Sequence, residues 1–345
     1  MKVVFNHDAA IDEYIAGVLL SIMPGITLEQ IIITNGDCVA GPAMNAGWRI
    51  QEYLGEPPDI LSLARCRSWN QFPWEYRKDS VIINRIDCLR NIPVNPAWPE
   101  YPNTAKPRLP YHSLANGESG AFPLNGTRPA YPDGDQALEN LLSQAVANND
   151  PLTLVICCPL TLLSSVLKKS PGLAEGIRQL IWMGGAVDGE HGNLDPDTVP
   201  ADIANPYAEW NVFWDPYAVA WIFEHTDFPI TLFPLNVTNQ APLAPAFMDQ
   251  LKHQASIAPL SRLAWEGYQL VLDQPFYRMW DVTTVAYLER PELFSKPEPR
   301  RLAIITDGFY QGTLIESDQG RALDVVLNID NRAAFYHYLL DRLNR

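Results

Sequence analysis

Apolar and polar residues along this chain fall into two alternating rhythms. Short, nearly unbroken apolar runs at Lys2–Asn6, Ile31–Thr34, Ile60–Ala64, Leu152–Ile156, Gln179–Met183 and Ile230–Phe233 read as strands buried on both faces. Between them, apolar residues recur every three or four positions and predict helices over Asp12–Met23, Pro42–Leu54, Gln136–Ala147 and after Pro159. This alternation predicts an α/β fold, a mostly parallel, Rossmann-like open sheet with helices on both faces. Residues 66–134 break the rhythm with prolines and aromatics, and residues 188–206 are rich in Asp, Pro and Gly. Both predict long loops over the C-terminal strand ends. Residues 235–294 turn mainly helical. The chain closes with strand-like segments at Leu302–Thr306, Gly312–Ser317 and Asp324–Leu327 and a helix over Arg332–Leu343. Residues 1–345 read as one domain with a loop-rich insertion at 66–134, and no internal repeat stands out.

Composition narrows the function classes. A formal charge of −15 disfavours nucleic acid or an anionic membrane surface as partner. No uncharged apolar run is long enough to span a bilayer. The five cysteines, an odd number, show no metal-type spacing, which reads as free thiols in a reducing compartment. The chain starts directly in a strand without a signal-peptide pattern, so a cytoplasmic location is expected.

Chemistry is concentrated where the first strand ends. Asp8 follows Val3-Val4-Phe5-Asn6-His7, and Asp12 and Glu13 open the next helix a turn later. Ligands of open α/β sheets bind at the C-terminal ends of strands. Carboxylates 4 Å apart repel by about 4 kcal/mol at an effective dielectric near 20. A hard divalent cation would offset that repulsion, although acids in a first helical turn also serve as caps and as partners of the helix dipole. Further islands follow other strands: Thr34-Asn35-Gly36-Asp37-Cys38, Cys157-Cys158-Pro159-Leu160-Thr161, Met183-Gly184-Gly185-Ala186 with Gly192-Asn193, Glu209-Trp210-Asn211, and Trp280-Asp281 at a helix start.

In this order, over about residues 1–290, the islands resemble the inosine-uridine nucleoside hydrolase superfamily, whose N-terminal DxDxxxDD motif stands here as residues 6–13. The Asp37-Cys38 and Trp280-Asp281 pairs resemble its purine-preferring inosine-adenosine-guanosine branch. The resemblance implies hydrolysis of the N-glycosidic bond of ribonucleosides, with Ca²⁺ as cofactor and a homodimer or tetramer as assembly. It assigns Asp8 to the metal and to general base catalysis. Glu13, Asp281 and the backbone carbonyl of Cys157 become the other metal ligands. Asp12, Asp37, Asn193, Glu209 and Asn211 fall to the ribose, with Met183 near the sugar. Trp280 and an aromatic of the 72–77 loop, Tyr76 before Trp74, fall to the base. On the residues alone, Glu209 and Asn211 could instead cap the helix that follows, and Trp280 could be a core residue.

The motif departs from the family pattern at Asn6 for an Asp, at Ala10 for a ribose-contacting Asn, at Glu13 for a bidentate Asp and at Cys157 for a Thr. These changes predict weaker metal or sugar grip on an intact fold. They leave open a homologue that binds a riboside without turning it over. A phosphatase of the haloacid-dehalogenase type, which also uses an Asp after its first strand, is disfavoured because Ala10 stands where its second acid belongs.

Overall fold

The computed structural model describes residues 1–36, 40–56, 58–66, 86–98, 131–195, 201 and 204–345. In chain order the elements begin β1 (Lys2–His7), α1 (Ile11–Ile22), β2 (Thr27–Thr34), α2 (Ala40–Leu54), β3 (Leu61–Ala64), α3 (Gly134–Asn148) and β4 (Leu152–Cys157). They continue with α4 (Thr161–Lys169), β5 (Ile177–Met183), α5 (Trp210–Trp214), α6 (Pro216–His225) and β6 (Ile230–Phe233). Four helices follow, α7 (Leu235–Thr238), α8 (Pro245–Gln254), α9 (Pro259–Gln269) and α10 (Trp280–Ala286). Last come β7 (Glu298–Ile304), β8 (Leu314–Glu316), β9 (Arg321–Val325) and α11 (Arg332–Leu343).

The strands form one nine-stranded sheet in the order β3-β2-β1-β4-β5-β6-β9-β7-β8. From β3 to β9 the pairs are parallel; β7 runs antiparallel to both β9 and β8. The mostly parallel α/β sheet expected from the alternation is therefore present. Within it, each strand sends alternate residues to opposite faces. Val3 and Phe5 of β1, with Ile31, Ile33, Val155 and Ile181, pack under α1, α2 and α8–α11. Val4, Ile32, Leu154, Leu180 and Trp182 pack under α3, α4 and α6. Burial on both faces is why these strands carry continuous apolar runs.

Strand boundaries differ from the expectation where apolarity stops reporting pairing. β2 begins at Thr27, not Ile31, because its half-exposed start hydrogen-bonds along β1 from the Lys2↔Thr27 pair onward. β7 and β9 begin at Glu298 and Arg321, ahead of the expected Leu302 and Asp324. Their charged, exposed residues pair in the antiparallel part of the sheet. The periodic reading also missed α6, which Asp215 caps by accepting the N–H of Ala218 and which Pro216 opens. Of the 66–134 insertion, residues 86–98 are described away from the strands. They bring Ile86, Leu89 and Trp98 into the core.

Strand order reverses between β1 and β4. β1 leads to β2 on one side, and the chain later returns to place β4 on the other. The crevice outside the carboxyl ends at such a switch point is where open α/β sheets hold ligands. His7 at the end of β1 pairs with Cys157 at the end of β4, which delivers Asp8 and Cys157 to the same crevice.

Candidate active site

Asp8 leaves β1 buried, at 4% exposure. The chain then turns sharply. Ala9 takes a left-handed backbone (φ 74°), and α1 starts two residues later. Close packing fixes the acid: a Cβ built on Gly36 would stand 2.3 Å from Asp8 Oδ2. Glu13 in the first turn of α1 accepts the Asp8 N–H at 2.8 Å through Oε1 and the Ala10 N–H through Oε2. That is the Glu half of a capping box, the other half being impossible because Ala10 has no side-chain acceptor. His7 lies between Phe5 and Tyr14, and its Nδ1 accepts the Ala9 N–H at 3.1 Å. Burial lowers its pKa to about 3, so the ring is neutral.

Asp12 is fully buried and joins the two ends of the chain. Its carboxylate accepts the Tyr268 hydroxyl at 2.7 Å and the N–H groups of Asp281 and Val282 at 2.7 and 3.0 Å. Its own N–H donates to the Tyr277 hydroxyl at 3.0 Å. Asp12 thus caps the first turn of α10. Burial raises its pKa to about 6 against the pull of those three donors.

Asp281, one residue into α10, is 6% exposed, and its Oδ1 has no hydrogen-bond partner among the described residues. Burial first, then the charges of Glu13, Asp12 and Asp8, push its carboxyl well above the usual range, and the Cys157 thiol partly opposes them. The fold therefore brings the Asp8–Glu13 turn, Cys157 and Asp281, three segments far apart in sequence, into one electrostatic neighbourhood. Among the described residues no three His, Cys, Asp or Glu side chains are gathered at coordination spacing. Glu13 helps explain this, since both its oxygens turn back to backbone amides.

A second cluster stands beyond β5. Glu209 is buried and caps α5, accepting N–H groups from Asn211 at 2.9 Å and Val212 at 3.4 Å, and also that of Gly185 at 2.8 Å. Burial pushes its carboxyl up to about 7. Asn211 does not cap: its amide donates to the backbone oxygen and sulfur of Met183 at 3.2 and 3.3 Å. Asn193 accepts the Trp210 N–H at 3.1 Å, and its own N–H donates to Ala208 O. Gly192 permits that approach, as a Cβ there would meet Ala208 O at 2.0 Å. Trp280 is half-buried beside Asp281, its indole N–H donating to Asn239 Oδ1 at 3.0 Å and its ring edge-on to Tyr277 at 5.1 Å. Asp37, Trp74 and Tyr76 lie outside the described residues.

Tyr268, Tyr277 and Asn239, which fasten these groups, were not singled out from the sequence. Each sits in a helical or turn segment where a lone polar residue looks like any other. Asn6 differs from the family motif for a visible reason. Its Nδ2 donates to Ile32 O and Thr34 Oγ1, both at 2.8 Å, a donation that an Asp could not make.

Comparison with known proteins places this geometry in context. The profile of the inosine-uridine preferring nucleoside hydrolase family matches residues 3–336. The non-specific ribonucleoside hydrolase RihC of Klebsiella pneumoniae is 31% identical over 225 residues, 62% of this chain and 68% of that protein. RihC of Salmonella newport is 33% identical over 214 residues, 61% of this chain and 64% of that protein, so this second match spans less than two thirds of the relative. In three dimensions the chain is similar to the inosine-uridine preferring nucleoside hydrolase of Bacillus anthracis, with TM-score 0.72, 27% identity and 99% of each chain covered. It shares the fold of the purine-preferring ribonucleoside hydrolase of Gardnerella vaginalis, with TM-score 0.67, 18% identity, and 100% and 98% of the two chains covered. The family match along nearly the whole sequence and the similarity of fold agree: the chain belongs to the inosine-uridine preferring nucleoside hydrolase family.

Proposed function

We propose that this protein cleaves the N-glycosidic bond of ribonucleosides, purine ribonucleosides in preference, releasing base and ribose. The observation that carries the reading is the buried acid group at the β1–β4 switch point, including the orphaned Asp281 Oδ1. A carboxylate oxygen that is buried, unpartnered and among other acids fits a hard cation, and oxygen donors are what Ca²⁺ takes. Asp8, Glu13, Asp281 and the Cys157 carbonyl would hold it. When bound, the ion supplies positive charge that offsets the acids and makes a nearby water easier to deprotonate.

The remaining work falls to the protein's own groups. Asp8, fixed by Gly36 and the turn at Ala9, takes a proton from the attacking water. The ribose is assigned to Asp12, Asn193, Glu209 and Asn211, with Asp37 proposed for the same role and Met183 near the sugar. Hydrogen bonds from such groups hold ribose hydroxyls and favour the oxocarbenium-like charge of the transition state. Trp280 stacks on the base, with Tyr76 or Trp74 proposed for its other face, and stacking on the indole eases protonation of the departing base by solvent. A homodimer or tetramer in the cytoplasm completes the reading; the free thiols at Cys66, Cys88, Cys157 and Cys158 accord with a reducing compartment.

Free ribose released from inosine, adenosine, guanosine and uridine, with and without chelator, tests the proposal. Release with inosine ahead of uridine, abolished by chelator and lowered about 10²- to 10⁴-fold in Asp8→Asn, is expected. No release from any nucleoside overturns it. One observation favours a second reading, a homologue that binds ribosides without turnover: Glu13 is committed to backbone amides. Calorimetric binding of inosine without product would establish that reading.

A further inference from the structure

One short helix fastens both ends of the candidate site. Within α7 and its cap, Asn236 and Asn239 are three residues apart and so project from the same side. Asn236 grips the loop after β5 in both directions: its Oδ1 accepts the Val187 N–H at 3.0 Å and its Nδ2 donates to Val187 O at 2.9 Å. The Leu235 N–H adds a bond to Gly185 O at 2.8 Å. Asn239 accepts the indole N–H of Trp280 at 3.0 Å. Gln240, next along, anchors the helix to the segment just after β9 by donating to Leu327 O and Asn328 Oδ1 at 3.0 and 3.2 Å. The Met183-Gly184-Gly185 loop and Trp280 are therefore referenced to one rigid support.

We infer that Asn239 is a positioning residue for base selection: it sets the plane of the Trp280 ring relative to the sugar-side loop held by Asn236. The inference deepens the proposed function and rests on Trp280 being the platform for the base. An indole has two stable ways to be held here, through its N–H and through its edge. Tyr277 supplies only the edge contact, at 63°. Without the Asn239 acceptor the ring keeps its burial but loses the bond that fixes its rotation, so stacking weakens. A purine, with two fused rings on the platform, loses more than a pyrimidine, because stacking grows with overlapping face.

Steady-state kinetics on inosine and uridine for Asn239→Ala, Asn239→Asp and Trp280→Ala, each with its thermal midpoint, test the inference. In Asn239→Ala, kcat/KM for inosine is expected to fall at least fivefold, mainly through KM, while uridine changes less than twofold. Asn239→Asp keeps the acceptor and is expected to retain the wild-type inosine-to-uridine ratio. Should Asn239→Ala fold poorly, Asn239→Ser offers a shorter acceptor with an intermediate ratio. Equal losses on both substrates, or a lowered midpoint with an unchanged ratio, overturn the role of Asn239. If Trp280→Ala leaves the ratio unchanged, the base platform itself is wrong; if Trp280→Ala collapses the ratio and Asn239→Ala does not, only the present inference fails.

Discussion

At Gly36 the chain has no room for a side chain, and that constraint shows how tightly the key acid is placed. A methyl group there would meet Asp8 Oδ2 at 2.3 Å and Pro159 Cδ at 3.0 Å. Gly36→Ala is expected to keep the fold but displace Asp8, with a loss of activity close to that of Asp8→Asn in the ribose-release assay. Glu209 makes a pH prediction. Its pKa is raised by burial from 4.5 to about 7. Below 4.5 the folded and unfolded chains both hold the proton. Between about 4.5 and 7 only the folded chain holds it, so stability falls as pH rises through that window and is flat above it. The span amounts to roughly 3 kcal/mol. Urea midpoints measured from pH 5 to 8 should decline for the wild type, and Glu209→Gln should flatten part of that decline. At this scale the sequence was informative where chemistry is contiguous, as in Asp8, Asp12 and Glu13. It did not reveal that Asn211 turns to Met183, because that contact crosses 28 residues and depends on how two loops meet.

Helix α10 is the element on which the site turns, and Asp12 caps it from across the molecule. Tyr268→Phe removes one hydrogen bond to a buried carboxylate and is expected to cost about 1.5–3 kcal/mol in denaturant unfolding. Asp12→Ala strips the acceptor from three buried donors, so at roughly 1–3 kcal/mol each its cost should exceed that of Tyr268→Phe severalfold. Equal stability of the two variants would refute this role of Asp12. Elements with strong apolar runs, such as β1, β4 and β5, were legible because each is buried on both faces. The starts of β7 and β9 were not, since their first residues are exposed or half-exposed and only backbone pairing defines them. For Glu209 the sequence left two roles open. The structure shows the cap, and the sugar role stands as proposed.

Across the whole molecule, the doubly wound sheet brings Asp8, Asp12, Glu13 and Asp281 close enough for the other three charges to raise the Asp281 carboxyl. A cation that binds only the folded chain should therefore stabilise it. Calcium at 100 times its dissociation constant would add about 2.7 kcal/mol. A rise in thermal midpoint with CaCl₂, reversed by chelator and absent in Asp281→Asn, is expected; an unchanged midpoint would count against the metal. Most of the strand and helix alternation was readable from periodicity, although α6 was not, and the crevice became visible only with the sheet order. The union of residue 12 with residues 281 and 282 was invisible, because no local pattern encodes a contact 269 residues long.

That long contact has a consequence for synthesis. While the chain emerges from the ribosome, its first acids are made early, yet the backbone amides that donate to Asp12 arrive only after some 270 further residues. A nascent polypeptide stopped short of position 281 would carry an unfinished, self-repelling N-terminal segment. Competence should thus switch on abruptly near the end of translation, not accumulate as the polypeptide lengthens.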